Sequence, residues 1–277
     1  MPWLPELFSA PVLQDVLDRR RLDRVVAVPY FEGFLTGEPD AMIESFTGEP
    51  VVYDPVRGRV KGVRAFKAFA ADTHEWLLQR NASVEQVSHV VVEGGGFEEA
   101  VLQVDGDAGR VALPFTTRGE RQQDGRIDEV RVYHSNGPLT GRHAGRAPLL
   151  QPDPDLRWPE VVADHQRALA AADVDAIVAT FEPDGYVREA AGADYVHRGH
   201  GDLRAFYDRL FSNGGGIAHE HCTILGDERT CALEYNLVRW GTAQMLPQAG
   251  VAIYLKGPSG KLAALRIYDD VEPPAAG

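Results

Sequence analysis

The chain of 277 residues repeats itself once, at a period close to half its length. The stretch RVYHS at 131–135 returns as RIYDD at 266–270, an offset of 135 residues. The same offset aligns Asp54 with Glu189. Solenoids repeat every 20–50 residues or so, whereas one period of this size indicates two copies of a whole domain.

A proline-rich segment separates the two copies. Five prolines lie from Pro138 to Pro159. Proline removes a backbone donor and resists both helix and central strand, so this segment is predicted to be an extended crossover. We predict a first domain at residues 1–137 with a leading amphipathic helix, a linker at 138–154 that packs down through its leucines, and a second domain at 155–277.

Both copies show helical patterns first and strand patterns afterwards. The predicted helices cover 23–35, 40–46 and a start near 64 in the first copy, and 159–172, 174–181 and a start near 202 in the second. Glycine-rich turn signals then separate several strands. This order predicts the α+β class: a curved antiparallel sheet wrapped around helices, with a conical pocket between them. We expect the domains to pack as a pseudo-dimer within one chain, with a further homodimer left open.

Composition excludes several classes of partner. The formal net charge of −13 disfavours contact with a phosphate backbone, so no nucleic acid is expected. No apolar run has the length needed to cross a bilayer, so no membrane partner is expected. Two cysteines make no disulfide framework, which favours a cytoplasmic location. Cys222 and Cys231 flank GDER and are expected to face each other across a hairpin, as buried thiols or as a disulfide.

Four histidines are candidate metal ligands. His219 and His221 alternate on one predicted strand, and His197 and His200 precede them on a loop. Their spacing matches no established ligand signature, so no metal is predicted.

The most informative stretch is VVYDPVRGRVKGVRAF at 51–66. Asp54-Pro55 ends an apolar strand pattern, and Tyr30 lies 24 residues earlier on a predicted helix. This order and spacing resemble the NTF2-like superfamily, in particular its ketosteroid isomerase and SnoaL-like polyketide cyclase group. Each of the two copies shows the resemblance, and together they cover nearly the whole chain. The resemblance implies two tandem cone-shaped NTF2-like domains that work without a cofactor.

The resemblance implies roles for four residues. Asp54 would shuttle the proton, because a carboxylate in an apolar cone becomes a stronger base. Tyr30 would donate a hydrogen bond to the oxygen that gains charge. In the second copy His165 and Glu189 occupy these two places. Thr116 stands where the isomerases carry a second, protonated aspartate on a later strand.

Structural interpretations of the same residues stay open. Asp54 can be a turn residue, because Asp-Pro often begins turns. Glu189 can form an ion pair with Arg188 or Arg198, and His165 can be a core histidine. The side chains predicted to line the cones and contact substrate are Phe34, Trp76, Phe115, Thr116, Tyr133, Glu99, Glu234 and Tyr268.

The favoured function is an isomerase or cyclase that uses acid–base chemistry on a small apolar molecule with a carbonyl group, such as a polyketide or terpenoid. One alternative is an epoxide hydrolase or cyclase that forms cyclic ethers. The other is a non-catalytic protein that binds a small ligand or serves as a scaffold, because fold alone does not decide function.

Overall fold

A computed structural model describes residues 30–37, 39–107, 109–122, 125–192, 195–271 and 274. The leading amphipathic helix predicted at the N-terminus lies outside the described residues. None of the described helices is long and apolar enough to cross a membrane.

Within its described residues, the first domain combines three helices with a six-stranded sheet in the order β2-β1-β6-β5-β4-β3. Its elements are α1 (Tyr30–Leu35), α2 (Pro39–Glu44), β1 (Val51–Asp54), β2 (Gly58–Lys61), α3 (Val63–Gln79), β3 (Ser83–Val92), β4 (Gly95–Gly106), β5 (Gly109–Arg121) and β6 (Ile127–His134).

The second domain has the equivalent strand order, β8-β7-β12-β11-β10-β9. After a short linker helix, α4 (Gly137–Thr140), its elements are α5 (Glu160–Ala171), α6 (Val174–Ala179), β7 (Phe181–Arg188), β8 (Val196–Arg198), α7 (Gly199–Leu210), β9 (Ile217–Gly226), β10 (Thr230–Trp240), β11 (Ala243–Lys256) and β12 (Leu262–Tyr268). The predicted α+β class and the tandem arrangement of two domains with one common strand order are therefore confirmed.

One detail of the predicted sheets is wrong, because neither sheet is purely antiparallel. β1 pairs with β6 in parallel, and β7 pairs with β12 in parallel. β1 and β2 form one hairpin, and β3 to β6 form an antiparallel meander. The helix α3 connects the two, so no hairpin turn fixes the direction of the meander relative to β1. The last strand can therefore return beside the first one running the same way.

Local sequence explains why the helices begin and pack as they do. Gly62 precedes α3 with a φ of 89°, a left-handed conformation that favours glycine. Asp173 caps α6, since its side chain accepts the Ala176 N–H at 2.9 Å. α3 buries Phe66, Phe69, Ala70 and Leu77, which share one face at helical spacing.

The helices of each domain pack against their own sheet in a separate core cluster, and a third apolar cluster lies between the two sheets. This inter-sheet cluster consists of Val90, Phe97, Tyr133, Ala232, Ala249, Val251, Ile253 and Tyr268, and Leu149 of the linker packs against it.

The linker is held by both domains. Arg146 donates to the backbone carbonyls of Val132 and Tyr53 and lies over the Tyr133 ring, 4.9 Å from its centroid. The carbonyl of Leu150 accepts from Asn236 at 3.1 Å. The segment between the domains is therefore packed rather than loose.

The prediction that the two cysteines face each other is wrong. β9 and β10 do form the expected hairpin around GDER, but Cys231 pairs with Gly226. Cys222 lies at a bulge farther along β9, opposite the junction of Glu234 and Tyr235. Both residues are buried free thiols.

Candidate active site

Four of the predicted substrate contacts lie between the two domains instead of inside the cones. Glu99 accepts two hydrogen bonds from Arg266 and one from Tyr268, whose hydroxyl lies 2.7 Å from Oε1. Glu234 accepts the equivalent hydrogen bonds from Arg131 and Tyr133. These side chains project from the sheet faces opposite the cones, because neighbouring residues of a strand alternate between faces. Their placement gives them a structural role between the domains.

In the first domain the predicted pair of Tyr30 and Asp54 lies around one end of the cone. Tyr30 is buried, and its hydroxyl has no hydrogen-bond partner among the described residues. Burial raises the pKa of Tyr30 well above its usual range, and the nearby charge of Asp54 adds to this rise. The two groups are thus close enough to interact electrostatically.

Asp54 also serves the turn that follows β1. Its Oδ1 accepts the backbone N–H groups of Val56 and Arg57, each at 2.8 Å. This is the turn interpretation that the sequence left open, and it occupies one carboxylate oxygen of the half-buried side chain. The small cavity of about 80 Å³ beside Tyr30 and Glu98 does not include Asp54 in its lining.

The other predicted residues of the first domain divide between core and groove. Phe34 is a core residue, 1% exposed, in edge-to-face contact with Tyr30. Thr116 is buried and donates its hydroxyl to the Glu98 carbonyl at 2.7 Å. Trp76 and Phe115 do line a wide groove of about 880 Å³ at the mouth of the cone.

The second domain holds a cavity of about 160 Å³. That volume accommodates about one six-membered ring, since a cavity of similar size in another protein binds benzene. The predicted residues His165 and Glu189 both line it. Apolar walls from α5, α7 and the sheet complete it, including Leu169, Phe206, Ile217, Leu237, Trp240, Ala252, Leu265 and Ile267.

Asp269 is a second carboxyl group of this cavity beside Glu189, and it was not predicted from sequence. It follows β12, and its Oδ2 accepts the Tyr235 hydroxyl at 2.9 Å. Burial raises the pKa of Asp269 to about 6, although the Tyr235 hydrogen bond acts in the opposite direction. A carboxyl group with such a pKa is present in both protonation states near neutral pH.

A chain of hydrogen bonds runs along another wall of the cavity. Gln166 donates Nε2–H to the Tyr254 hydroxyl at 2.6 Å. The Tyr254 hydroxyl lies 3.4 Å from His165 Nδ1, and His165 Nε2 lies 3.1 Å from the Tyr207 hydroxyl. Burial lowers the pKa of His165 to about 3, so its ring is neutral and carries one proton.

The direction of this chain follows from Gln166. Because the Tyr254 oxygen accepts from Gln166, its own proton is available for His165 Nδ1, and His165 then donates Nε2–H to Tyr207. The Tyr207 proton has no acceptor among the described residues, and Tyr207 lines the cavity. The chain therefore leaves one phenol proton free to point at a bound molecule.

The four histidines that are candidate metal ligands each lie within hydrogen-bond distance of another protein group. His219 and His221 lie 3.0 and 3.1 Å from Gln166 Oε1. His197 lies 2.6 Å from Glu189 Oε1, and His200 lies 3.2 Å from the carbonyl of Phe181. Within the described ranges no three His, Cys, Asp or Glu side chains are arranged to hold a metal ion.

The signal for Asp269 was present in the repeat. The offset of 135 aligns it with His134, a partly buried histidine at the end of β6 whose pKa is lowered by desolvation. Residues 265, 267 and 269 alternate with the inter-sheet residues Arg266 and Tyr268, so period-two counting along RIYDD would have placed Asp269 inside the cone.

Comparison with known proteins gives one family match within the second domain. Residues 161–264 match the family model of the SnoaL-like domain. No curated protein matches the chain. Among solved structures, a putative polyketide cyclase from Sinorhizobium meliloti is 19% identical and covers 40% of this chain and 94% of its own, with a TM-score of 0.34.

Two further structures give similar values. The epoxide hydrolase/cyclase-like enzyme SalBIII, described in pyran ring formation in salinomycin, is 20% identical, with 42% of this chain and 91% of its own covered and a TM-score of 0.34. A protein with a ketosteroid isomerase-like fold from Catenulispora acidiphila is 15% identical, with 42% and 90% covered and a TM-score of 0.35. Residues 161–264 are thus similar to the SnoaL-like domain family, and the first half of the chain repeats the strand order of the second half.

Proposed function

We propose that the protein is a small-molecule isomerase or cyclase that transfers protons inside the cavity of the second domain without a cofactor. The observation that carries the proposal is Asp269, a carboxyl group with a pKa of about 6 at the wall of an otherwise largely apolar cavity. A group poised near the working pH is the most effective proton carrier.

The surroundings of Asp269 suit a carbonyl compound. Its substrate would be apolar and about one ring in size where it enters the cavity. The free Tyr207 proton would hydrogen-bond the carbonyl oxygen as charge develops there. Asp269 would exchange a proton with the adjoining carbon or oxygen, and the apolar walls would exclude water.

The predicted pair of the first domain stays a separate proposal. Tyr30 lines the small cavity of the first domain, but Asp54 does not, and one oxygen of Asp54 is used by its turn. We therefore assign the chemistry to the second domain and propose that the groove near Trp76 binds ligand.

The test uses cyclohex-3-enone, a six-membered cyclic ketone that isomerises to its conjugated form by moving one proton. The wild type should accelerate this conversion, and Asp269→Asn should abolish the acceleration. Asp184→Asn is the matched control, because Asp184 is an exposed residue of β7 in the same domain. Equal rates for the two variants, or no acceleration by the wild type, would count against the proposal.

Epoxide opening is the second candidate, and one observation favours it. The cavity is lined by two carboxyl groups, Asp269 and Glu189. One of them in acid form could protonate an epoxide oxygen while the other activates a hydroxyl or water. Cyclohexene oxide tests this reaction with the same variants. Binding of both compounds without turnover would favour the non-catalytic alternative.

A further inference from the structure

The cavity of the second domain has one polar lining residue that does not belong to that domain. His143 comes from the linker, just beyond α4, and lines the cavity together with Asp269 and Glu189. Its side chain is 30% exposed, so the ring lies between the cavity and solvent. The linker therefore supplies part of the cavity wall.

His143 is oriented by a buried carboxylate. Its Nδ1 lies 3.2 Å from Oδ1 of Asp270, whose side chain is 4% exposed. Asp270 also accepts the Ser135 hydroxyl at 2.6 Å and the Ala144 N–H at 2.9 Å. With two other donors directed at it, this carboxylate acts as the acceptor, and His143 presents Nδ1–H.

The orientation fixes what the ring offers to the cavity. An imidazole that donates Nδ1–H to a carboxylate carries its lone pair on Nε2, at the far side of the ring. A histidine held in this way by a carboxylate is a common arrangement of a general base. Asp270 is joined to Ser135 at the end of the first domain, so both domains contribute to holding the ring.

We propose that His143 is a catalytic acid–base residue of the second-domain cavity and that Asp270 is its positioning residue. This inference rests on the proposed function. His143 Nε2 takes a proton from the carbon beside the carbonyl, and the C–H electron pair forms the enol double bond. The carbonyl oxygen takes the proton of Asp269. Return of the proton from Nε2 to a different carbon, and of the oxygen proton to Asp269, completes an isomerisation.

Binding of 2-naphthol, a stable aromatic analogue of an enol, tests the placement of His143 without any turnover. His143→Ala should raise the Kd of 2-naphthol about 5- to 10-fold, the effect of losing one hydrogen bond. His143→Gln should restore most of the affinity, because its amide oxygen can accept the naphthol proton. His89→Ala, at an exposed histidine of β3, should leave the Kd unchanged. Equal affinity of wild type and His143→Ala, or no binding by the wild type, would overturn the inference.

Turnover separates this inference from the proposed function. With cyclohex-3-enone, His143→Ala and His143→Gln should both be slow, and added imidazole should restore rate to His143→Ala alone, since the ring position is open to solvent. A wild type that is active, with Asp269→Asn inactive and His143→Ala unaffected, would overturn the role of His143 only. An inactive wild type would overturn the proposed function, and the naphthol affinities would then decide whether His143 faces the cavity. Near-ultraviolet circular dichroism checks that each variant is folded.

Discussion

The guanidinium of Arg131 donates two parallel hydrogen bonds across the domain boundary to the carboxylate of Glu234, Nε to Oε1 at 2.6 Å and Nη2 to Oε2 at 2.7 Å. The repeat offset of 135 converts Arg131 into Arg266 and Glu234 into Glu99, and these two residues form the same pair in the opposite direction. Such an exchange of partners is typical of two-fold symmetric dimers. Here it occurs within one chain.

We expect the exchanged ion pairs to dominate the stability of the interface. Glu99→Gln leaves the Arg266 charge buried without its counter-ion and should lower the free energy of unfolding by about 3 kcal/mol. Asp72→Asn breaks the pair with Arg57, whose side chains are both 54% exposed, and should cost less than about 1 kcal/mol. Urea unfolding measures both values. Similar losses for the two variants would mean that the buried pair is not important for stability.

Two buried tyrosines should respond differently to loss of their hydroxyl groups. Tyr268→Phe removes the hydrogen bond to Glu99 and should cost about 1.5–3 kcal/mol, as expected for a bond to a charged group. The Tyr30 hydroxyl has no partner among the described residues, so Tyr30→Phe should change stability by less than about 0.5 kcal/mol or increase it. Thermal unfolding of the two variants gives the comparison, and a large loss in Tyr30→Phe would reveal a partner.

Acid should destabilise the second domain through His165. The pKa of His165 is lowered to about 3 in the folded protein, against about 6.5 when unfolded. Below pH 6.5 only the unfolded chain takes up this proton, so stability falls as the pH falls towards 3. His165→Gln should therefore lose about 2 kcal/mol less than the wild type between pH 7 and pH 5. His89→Gln serves as the control, and parallel pH profiles of His165→Gln and wild type would contradict the burial of a neutral ring.

Asp269 should act in the opposite direction. Its pKa is raised to about 6 when folded, against about 3.9 when unfolded, so between these values the folded protein binds the additional proton. Stability contributed by this group is present below pH 4 and is lost as the pH rises to 6. Asp269→Asn should gain on the wild type by about 2 kcal/mol over that interval, whereas Asp184→Asn should show no trend. Guanidinium unfolding at several pH values measures the difference.

Much of the architecture could be predicted because the sequence contains two copies of one domain. The repeat offset indicated two domains. It also aligned Asp54 with Glu189 and Tyr30 with His165, and so singled out Glu189 and His165, which both line the cavity of the second domain. Helix positions followed from apolar spacing, as in the predicted 159–172 for the observed α5, Glu160–Ala171.

The remaining errors have physical causes. Successive residues of a strand face opposite sides of the sheet, so an error of one position changes the side to which a residue is assigned. Tyr268 was therefore predicted to line the cone in place of Asp269. Glu99 was likewise predicted to line the cone, although it lies between the domains. His143 reaches the cavity only because Asp270 and Ser135 fix the path of the linker, which no local pattern encodes. The parallel pairing of β1 with β6 depends likewise on contacts between distant segments.

The most direct test of this account is the titration of the Asp269 carboxyl group by carbon-13 NMR, with its resonance identified by its absence from Asp269→Asn. Cavity chemistry on a desolvated carboxyl group requires a titration midpoint at about pH 6. A midpoint below about 4, the range of a solvated aspartate, would contradict it.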